Sequence, residues 1–551
     1  MRVHRPDGNI PHVANDRKVP RANGTPAPAE RRDAPAGAAN ETLSLAAMLV
    51  AVSMTFIDQT IVSIAAPHIT DELGLSTSGI RWVVNAYLLS LAAFFALGGR
   101  LADLLGHRRV MLLGTLVFVI ASALCGAVPK GDAAQTWLIV FRAVQGLGAA
   151  LMFPAALAVV VMVFPVERRG RAPALFFGLF GALTAVGPIL GGWLTTWTWR
   201  AVFWVNVPVA VIAVVLTLLA RIPADGRRGT LDRRGAVLVA AGMGLSVLGL
   251  QQASAWGWGS AATWTCVIGG LLLLIVFVRL ELRTAHPLIT MRVFGDRAFV
   301  ADIAVLFFAM MAFVPVFFFA SVYAQVALGS SPNEAGLYLL VFFLGFGIAS
   351  QLGGRILDRR GAKPALRLGS ALGAVGFGLW AHRMTDLSPA AQWPYIVLAG
   401  AGIGLLLAPA STDAVHRAIG ASYGEVTGIT QTVRNYAASL GLAVLGTVLA
   451  TVTTDRIVES LKDRGLSTAT AREVAHSLTE SLAGQGGGPP HGSSPSTLLP
   501  QEVLDAVRLD FAQGNRTVFY GMAAALAAAF ICAHLHPGTR VTRTPPDAGT
   551  T

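Results

Sequence analysis

The chain has little charge and almost no cysteine. Only 13% of its 551 residues are charged, whereas 54% are hydrophobic, and the mean hydropathy is +0.61. A chain this poor in charge would not stay dissolved in water. The three cysteines lie in apolar runs without a CxxC spacing or a histidine-rich neighbourhood. The sequence therefore offers no disulfide framework and predicts no metal site.

The charge that is present is mainly positive, with a formal net charge of +12. A nucleic-acid-binding protein concentrates Lys and Arg on one face of a domain, whereas here they cluster in short loops between apolar runs. We therefore expect no nucleic-acid partner. The sequence also lacks the GxxxxGK[ST] loop that binds nucleotide phosphates and any catalytic cluster. It predicts no cofactor and does not indicate an enzyme.

Long hydrophobic runs make up most of the chain, and fourteen of them approach the 20 or so residues that cross a bilayer as a helix. Six predicted spans lie near 43–66, 79–97, 110–128, 137–159, 174–193 and 201–219. Two more lie near 236–252 and 262–278, and a last six near 299–320, 335–357, 365–381, 393–410, 427–450 and 517–533. This pattern predicts an all-α polytopic membrane protein with fourteen spans in the lipid bilayer.

Two sequence echoes indicate a duplicated unit. Residues 99–106 (GRLADLLG), after the second span, return as 354–361 (GRILDRRG) after the tenth. In the same way Gly146-Leu-Gly148, leading to Pro154, is echoed by Gly402-Ile-Gly404, leading to Pro409. Spans seven and eight have no counterpart and are interpreted as an insertion. Membrane proteins built from two repeated halves usually carry a substrate pathway between them, so the repeat predicts transport.

Arginine is concentrated at every second junction between the predicted spans. By the positive-inside rule those junctions are cytoplasmic, and an even number of spans then puts both termini in the cytoplasm. The predicted order is a disordered tail over 1–42, a six-helix bundle over 43–221 and a two-helix insertion over 235–280. A second six-helix bundle over 298–537, with a long external loop over 452–515, and a cytoplasmic tail over 538–551 follow.

Asp58 and Arg142 lie inside predicted spans, where an ionisable side chain is costly unless it is paired or hydrated. Counted from the outer ends of spans one and four, both lie roughly 10 Å below the external surface, so they could face each other. One hypothesis is that Asp58 binds a proton in one state and pairs with Arg142 in another. The alternative is a fixed structural pair or an aspartate that never titrates. Asp302 and Glu425 lie near a predicted interface, where we expect solvated charges without a role.

Four segments resemble motifs of one transporter family. Residues 56–67 (FIDQTIVSIAAP), 99–109 (GRLADLLGHRR), 138–148 (LIVFRAVQGLG) and 187–192 (GPILGG) are similar to its first-helix signature, its loop motif, its fourth-helix motif and its antiporter motif. Over nearly its whole length the chain resembles the major facilitator superfamily, specifically the fourteen-helix drug:proton antiporters that export drugs and antibiotics from bacteria. The resemblance implies two six-helix bundles with two extra central helices.

The resemblance also implies roles for individual residues. It assigns proton coupling to Asp58 and Arg142. It implies a cytoplasmic latch, in which an aspartate bonds backbone N–H groups or neighbouring arginines, formed by Gly99, Asp103, Gly106, Arg108, Arg109, Gly354, Asp358 and Gly361. It implies a smooth kinked face that seals the pathway against a proton leak, formed by Gly187, Pro188, Gly191 and Gly192. His107, in the latch loop, is expected to be exposed.

Aromatic and hydrogen-bonding groups in the spans are candidates for a substrate cavity. They are Trp82, Asn85, Tyr87, Gln145, Gln431, Arg434 and Asn435. Two alternatives stay open: Trp82 can belong to the interfacial belt of aromatic residues, and Arg434 can extend toward the lipid headgroups.

The leading hypothesis is a secondary exporter in the bacterial cytoplasmic membrane. It uses inward proton flow to expel a lipophilic drug or antibiotic by alternating access, and it functions as a monomer; the sequence does not identify a protein partner. A second hypothesis keeps the fold but makes the cargo a self-made metabolite or a nutrient moved by symport. A third is a membrane enzyme or a transporter-like sensor, which would need a catalytic cluster or an attached soluble domain.

Overall fold

The computed structural model describes residues 34–163, 187, 190–222, 231–284, 287–417, 423–464, 467–473, 475 and 501–538. This part of the chain is helical and contains no strand. Apolar runs of this length form helices because a helix satisfies its backbone N–H and C=O groups within the segment. Twelve of the helices are long and apolar enough to cross a membrane.

Thirteen helices of 14 residues or more carry the fold. The first five are α1 (Ala34–Leu73), α2 (Thr77–Leu105), α3 (His107–Gly126), α4 (Ala134–Val163) and α5 (Asn206–Leu219). They are followed by α6 (Arg233–Trp256) and α7 (Ala261–Glu281). The last six are α8 (Arg297–Val326), α9 (Pro332–Arg360), α10 (Ala362–Arg383), α11 (Pro389–Arg417), α12 (Tyr423–Asp463) and α13 (Gln501–Leu535).

The helix bounds differ from the predicted spans in a few places. Predicted span eleven falls on α10, which is rich in glycine, carries Lys363 and Arg367, and is not among the twelve helices that are long and apolar enough to cross a membrane. Predicted span five lies mostly outside the described residues. Helix α1 begins at Ala34, within the predicted tail. Helix α12 continues to Asp463 and helix α13 begins at Gln501, so both ends of the predicted external loop are helical.

The two halves repeat the same close helix packing. Helix α4 packs between α2 and α3, and α11 packs between α9 and α10. A Cβ on Gly98 would lie 2.1 Å from the carbonyl oxygen of Ala150, and one on Gly353 would lie 2.4 Å from that of Leu405. Only glycine permits backbones to approach so closely.

In the structure, Gly146 and Gly148 of α4 correspond to Gly400 and Gly402 of α11. This pair lies two residues before the pair that the sequence repeat indicates. A Cβ on Gly146 would lie 2.3 Å from the carbonyl oxygen of Tyr87, and one on Gly400 would lie 2.1 Å from that of Phe342. Gly148 and Gly402 face α3 and α10 in the same way. The predicted match to Gly402-Ile-Gly404 is therefore wrong in register. Glycines recur along α11, and the local sequence does not indicate which pair makes these contacts.

The halves meet where α12 packs against α2 and α4. Helix α6 of the predicted insertion packs against both α2 and α12, and α7 packs against α6. The indole N–H of Trp258, between α6 and α7, donates to the hydroxyl of Thr447 on α12 at 2.5 Å. The inserted pair therefore lies against both halves.

Candidate functional site

A charged network is buried inside the N-terminal half. Asp58 on α1 and Arg142 on α4 are 0% and 1% exposed. Arg142 Nη1 donates to Asp58 Oδ2 at 2.5 Å and to Gln145 Oε1 at 2.8 Å. Gln145 Nε2 in turn donates to Asp58 Oδ1 at 2.9 Å. Both carboxylate oxygens of Asp58 are thus hydrogen-bonded, and the two predicted coupling residues are in direct contact.

Helix α2 holds the other side of Arg142. The guanidinium carbon lies 4.4 Å from the centre of the Tyr87 ring, and Nε donates to the carbonyl oxygen of Val83 at 3.2 Å. The Tyr87 hydroxyl donates to the carbonyl oxygen of Thr55 on α1 at 3.2 Å. The close approach at Gly146 brings α4 near enough to α2 for these contacts. Arg142 therefore has favourable contacts that do not depend on Asp58.

A second contact joins the two halves at the predicted latch. Asp103, 3% exposed near the end of α2, accepts a hydrogen bond at 2.7 Å from the backbone N–H of Glu425, in the first turn of α12. The N-terminus of a helix carries unsatisfied N–H groups and a partial positive charge, so it favours a carboxylate. This is the backbone type of contact that the sequence offered as one possibility.

The residues around Asp103 differ from expectation. Arg108 donates to the carbonyl oxygen of Leu218, near the end of α5. His107 is 5% exposed, with Nε2 3.3 Å from Asp103 Oδ1, so the expectation of an exposed histidine is wrong. Glu425 is 3% exposed, and its carboxylate accepts from the backbone N–H of Thr290. The expectation that Glu425 is solvated is therefore also wrong, because it connects α12 to the segment that precedes α8.

The repeated loop motif is less enclosed in the C-terminal half. Gly106 and Gly361 have φ values of 94° and 82° and separate α2 from α3 and α9 from α10. Asp358, the counterpart of Asp103, is exposed, whereas Gly354 is buried. Arg109 of the first loop is exposed. The duplicated sequence thus gives the same backbone turn twice, with a buried aspartate only at Asp103.

The antiporter motif lies partly outside the described residues, which include Gly187, Gly191 and Gly192 but not Pro188. A Cβ on Gly191 would lie 2.9 Å from a side-chain carbon of Ile61 on α1, whereas one on Gly192 would meet nothing within 4 Å. Gly191 is therefore a position in this motif at which α1 packs closely.

The seven candidate cavity residues fall into two groups. Tyr87 and Gln145 belong to the Asp58 network, and half-buried Trp82 and Asn85 lie on the same helix as Tyr87. Gln431 and Arg434 are 3% and 6% exposed on α12. The Asn435 side chain donates to the carbonyl oxygen of Gln431 at 2.9 Å. Burial of Arg434 within the protein does not support the alternative that it extends toward the headgroups.

Three polar clusters were missed by sequence reasoning. At one end of the C-terminal half, Gln392 bonds the hydroxyls of both Tyr323 and Tyr338. At the opposite end Asp302 is 0% exposed, so the expectation of a solvated charge is wrong there as well. The sequence signal for this cluster is a carboxylate five residues inside an apolar helix; its neighbours Asp413 and His536 lie more than a hundred residues away in sequence.

The third missed cluster lies at the end of α1, outside the most apolar part of that helix. Glu72 accepts from the indole N–H of Trp199 at 2.6 Å and from Arg200 at 2.9 Å, and Lys130 Nζ lies 3.3 Å away. The hydrogen bond from Trp199, together with the charges of Lys130 and Arg200, lowers the pKa of Glu72 below its usual value. This cluster ties α1 to the α3–α4 loop and to the segment before α5.

The comparisons with known proteins agree with this architecture. The family model described as Major Facilitator Superfamily matches residues 48–442. The chain is 32% identical to the tetracenomycin C resistance and export protein of Streptomyces glaucescens, over 85% of this chain and 88% of that one. It is 30% identical to the multidrug transporter protein MdtP of Bacillus subtilis, over 76% of this chain and 78% of that one. A solved structure of the proton:xylose symporter XylE shares the fold, with a TM-score of 0.55 and 13% identity over 81% of this chain and 95% of that one.

Proposed function

The chain belongs to the Major Facilitator Superfamily of membrane transporters, and we propose that it exports a lipophilic drug or antibiotic from the cell in exchange for protons. The observation that carries the coupling is the fully buried pair of Asp58 and Arg142. The export direction is supported by relatives named for resistance and export. The membrane is the bacterial cytoplasmic membrane, and the working unit is a monomer.

The coupling step follows from the contacts of Asp58. A proton that arrives from outside binds Asp58 and removes the charge that holds Arg142 Nη1. Arg142 keeps its contacts with Gln145, the carbonyl oxygen of Val83 and the ring of Tyr87, which stabilise the cation while Asp58 is neutral. Loss of the proton restores the ion pair. One buried aspartate thereby has two stable partners, H⁺ and Arg142, and alternates between them.

The latch completes the cycle. The bond between Asp103 and the first turn of α12 holds the halves together at the end that the arginine pattern marks as cytoplasmic. Opening toward the cytoplasm breaks this bond, so compound enters from inside only after the halves separate there. Gly187, Pro188, Gly191 and Gly192 give α1 a smooth surface that prevents a proton leak during this movement. Compound binds between the halves, beside the polar groups of α2 and α12.

The topology proposed for this cycle has fourteen spans with both termini in the cytoplasm. Residues 174–193 supply the fifth span and α10 the eleventh, in addition to the twelve helices above. The N-terminal bundle then covers 43–221 and the C-terminal bundle 298–537, with 235–280 as the insertion, 452–515 outside, and tails over 1–42 and 538–551. An even number of spans is what places both termini on the arginine-rich side.

Everted membrane vesicles test the proposal. A respiration-driven pH gradient is followed with a pH-sensitive dye while a panel of dyes and antibiotics is added. Compounds are expected to collapse the gradient in wild type and not in Asp58→Asn. The matched control is Asp386→Asn, which removes a carboxylate from a surface pair with Arg383 and should leave the response intact. Collapse that persists in Asp58→Asn would make Asp58 structural, and no response in well-expressed wild type would contradict drug–proton exchange.

A dedicated metabolite exporter is the second candidate. The relative from Streptomyces glaucescens is named for a single compound, tetracenomycin C, whereas the Bacillus subtilis relative is named for many. A narrow response in the same panel, limited to one chemical scaffold, would favour the dedicated exporter.

A further inference from the structure

A second buried group of charges lies inside the C-terminal half, away from Asp58. Asp302 on α8 and His536, which follows α13, are both 0% exposed, and Asp413 and Arg417 on α11 are 5% and 8% exposed. His536 Nε2 lies 3.1 Å from Asp413 Oδ2 and 3.6 Å from Asp302 Oδ1. Arg417 Nε donates to Asp413 Oδ2 at 2.5 Å. Helices α8 and α11 and the residue that follows α13 thus bring four ionisable side chains together at one end of the bundle.

The protonation state of His536 follows from its backbone contact. The N–H of Gly538 donates to His536 Nδ1 at 3.0 Å, so Nδ1 carries no proton and acts as an acceptor. The ring is then neutral, with its proton on Nε2, which donates toward Asp413. A doubly protonated ring would place two donors against each other at Nδ1. His536 is therefore held neutral, as a donor.

The same contact argues against a metal ion. Ligand atoms of Asp302, Asp413 and His536 lie within 4.8 Å of one another, which by itself resembles a metal site. A metal on Nε2 would require that nitrogen to lose its proton and Nδ1 to gain one, where Gly538 already donates. Arg417 also occupies the Asp413 oxygen nearest His536. The arrangement favours a proton over a metal.

The charges balance only if one carboxylate is protonated. Asp413 accepts from both Arg417 and His536, which stabilises its ionised form. Among the residues that the structure describes, none donates a hydrogen bond to either oxygen of Asp302. With His536 neutral, two ionised carboxylates and Arg417 would leave one uncompensated buried negative charge, which is strongly unfavourable. A proton on Asp302 gives the four side chains a net charge of zero.

Two further carboxylates, Asp296 and Glu425, lie at this end of the bundle in the part of the chain that the structure describes. Asp296, which caps α8 through the N–H of Ala298, adds a negative charge on the same side. Glu425 of α12 is bonded to the backbone of Thr290. Helices α11 and α13 both end here, at Arg417 and Leu535, and C-terminal helix ends carry partial negative charge. Each of these features disfavours a second anion at Asp302.

We propose that Asp302, held against Asp413 and His536, is a second proton-binding site of this transporter, in the C-terminal half and separate from Asp58 and Arg142. The site lies at the same end as the latch, because Thr290, held by Glu425, precedes α8. When the latch opens, water reaches the cluster, and Asp302 ionises and releases its proton to the cytoplasm. This use in transport rests on the proposed proton exchange, whereas the site itself does not.

Infrared spectroscopy tests the site without a transported compound. Purified protein in liposomes, at neutral pH, is expected to give a C=O band of a protonated carboxylic acid that shifts in D₂O. Asp302→Asn, which is isosteric with the protonated acid, should lose the intensity of one carboxyl group. Asp302→Glu should keep a band at a shifted frequency, and this variant decides the question if Asp302→Asn does not fold. Asp386→Asn, at the surface pair with Arg383, is the matched control and should keep the full band.

Three results would overturn the inference: no acid band in wild type, a band that Asp302→Asn leaves unchanged, or a band abolished by added Zn²⁺ or Mn²⁺. The vesicle assay then separates the two proposals. Asp302→Asn should release fewer protons for each compound exported. If no compound drives proton release in wild type but the band behaves as expected, the site stands and the exchange function fails. If exchange occurs and the band is missing, only the second site fails.

Discussion

The two halves share a scaffold but differ in what they bury at its centre. Matched glycines bring α4 against α2 and α11 against α9. Counting back from Gly146 and Gly400, Arg142 corresponds to Ile396 and Gln145 to Ala399, all buried. Phe342 stands where the N-terminal half has Tyr87, and its ring lies 6.3 Å from that of Phe313. The same packing therefore accommodates an ion pair in one half and an apolar, aromatic core in the other.

The difference teaches that the same helix geometry forms with or without a buried ion pair. A buried ion pair adds little to stability compared with well-packed apolar residues, so the fold does not require Asp58 and Arg142. The charged cluster of the C-terminal half lies at its end, around Asp302, rather than at its centre. Four predictions break or sharpen this comparison.

Replacement of Arg142 should have the largest effect. Arg142→Met leaves Asp58 buried without its counter-charge, and we expect a loss of about 3–5 kcal/mol in the free energy of unfolding, measured by thermal and denaturant unfolding in detergent. Adding Asp58→Asn should recover most of the loss, although not transport. At the matched position, Ile396→Val should cost only about 0.5–1.5 kcal/mol. If Arg142→Met is as stable as Ile396→Val, Asp58 and Arg142 are not energetically coupled.

The two loop motifs should respond unequally. Asp103→Ala removes a charge-assisted hydrogen bond to the first turn of α12, a change of about 1.5–3 kcal/mol that favours separation of the halves. Hydrogen exchange at the start of α12 should accelerate by at least about tenfold. Asp358→Ala, at the exposed counterpart, should leave exchange in α12 unchanged. Equal acceleration in both variants would mean that the motif acts through the loop backbone alone.

The glycine contacts should respond alike in both halves. Gly146→Ala and Gly400→Ala each place a Cβ within 2.3 Å of a neighbouring carbonyl oxygen, so each should destabilise by about 1–3 kcal/mol through overpacking. Gly378→Ala on α10 meets nothing within 4 Å and is the control, expected to be neutral or slightly stabilising. A large difference between the two halves in melting temperature would contradict the repeat.

The cluster of Glu72 with Trp199, Arg200 and Lys130 should have the smallest effect. Glu72→Gln is expected to cost about 1 kcal/mol or less, because the carboxylate is partly exposed and screened. The pKa of Glu72 is lowered in the folded protein. Its contribution to the free energy of unfolding is therefore fully present above the ordinary glutamate pKa and is lost as the pH falls through the lowered pKa. The difference in melting temperature between wild type and Glu72→Gln, measured as a function of pH, should become smaller as the pH falls. A difference independent of pH would show that the charge of Glu72 is irrelevant.

Much of the fold was predictable because its signals are local. A hydrophobic run of about 20 residues needs no partner to be recognised as a span, and a repeated octet keeps its spacing wherever it lies. The contact of Asp58 with Arg142 could be anticipated for a related reason. Two opposite charges at equal depth in an apolar environment have few other ways to be compensated.

The rest depended on contacts between distant segments. No local pattern indicates that Asp103 binds the N–H of Glu425, or that α11 uses Gly400 and Gly402 rather than Gly402 and Gly404. From its position in the sequence, Asp302 is predicted to be solvated. In the structure it is buried, beside α11 and the residue that follows α13. The sequence by itself determined the long apolar helices, the repeated loop motif and the family motifs, since these depend on hydrophobicity and spacing along one chain. Only the tertiary structure decided helix register, latch partner and the burial of Asp302, because each is a property of helices that meet far apart in sequence.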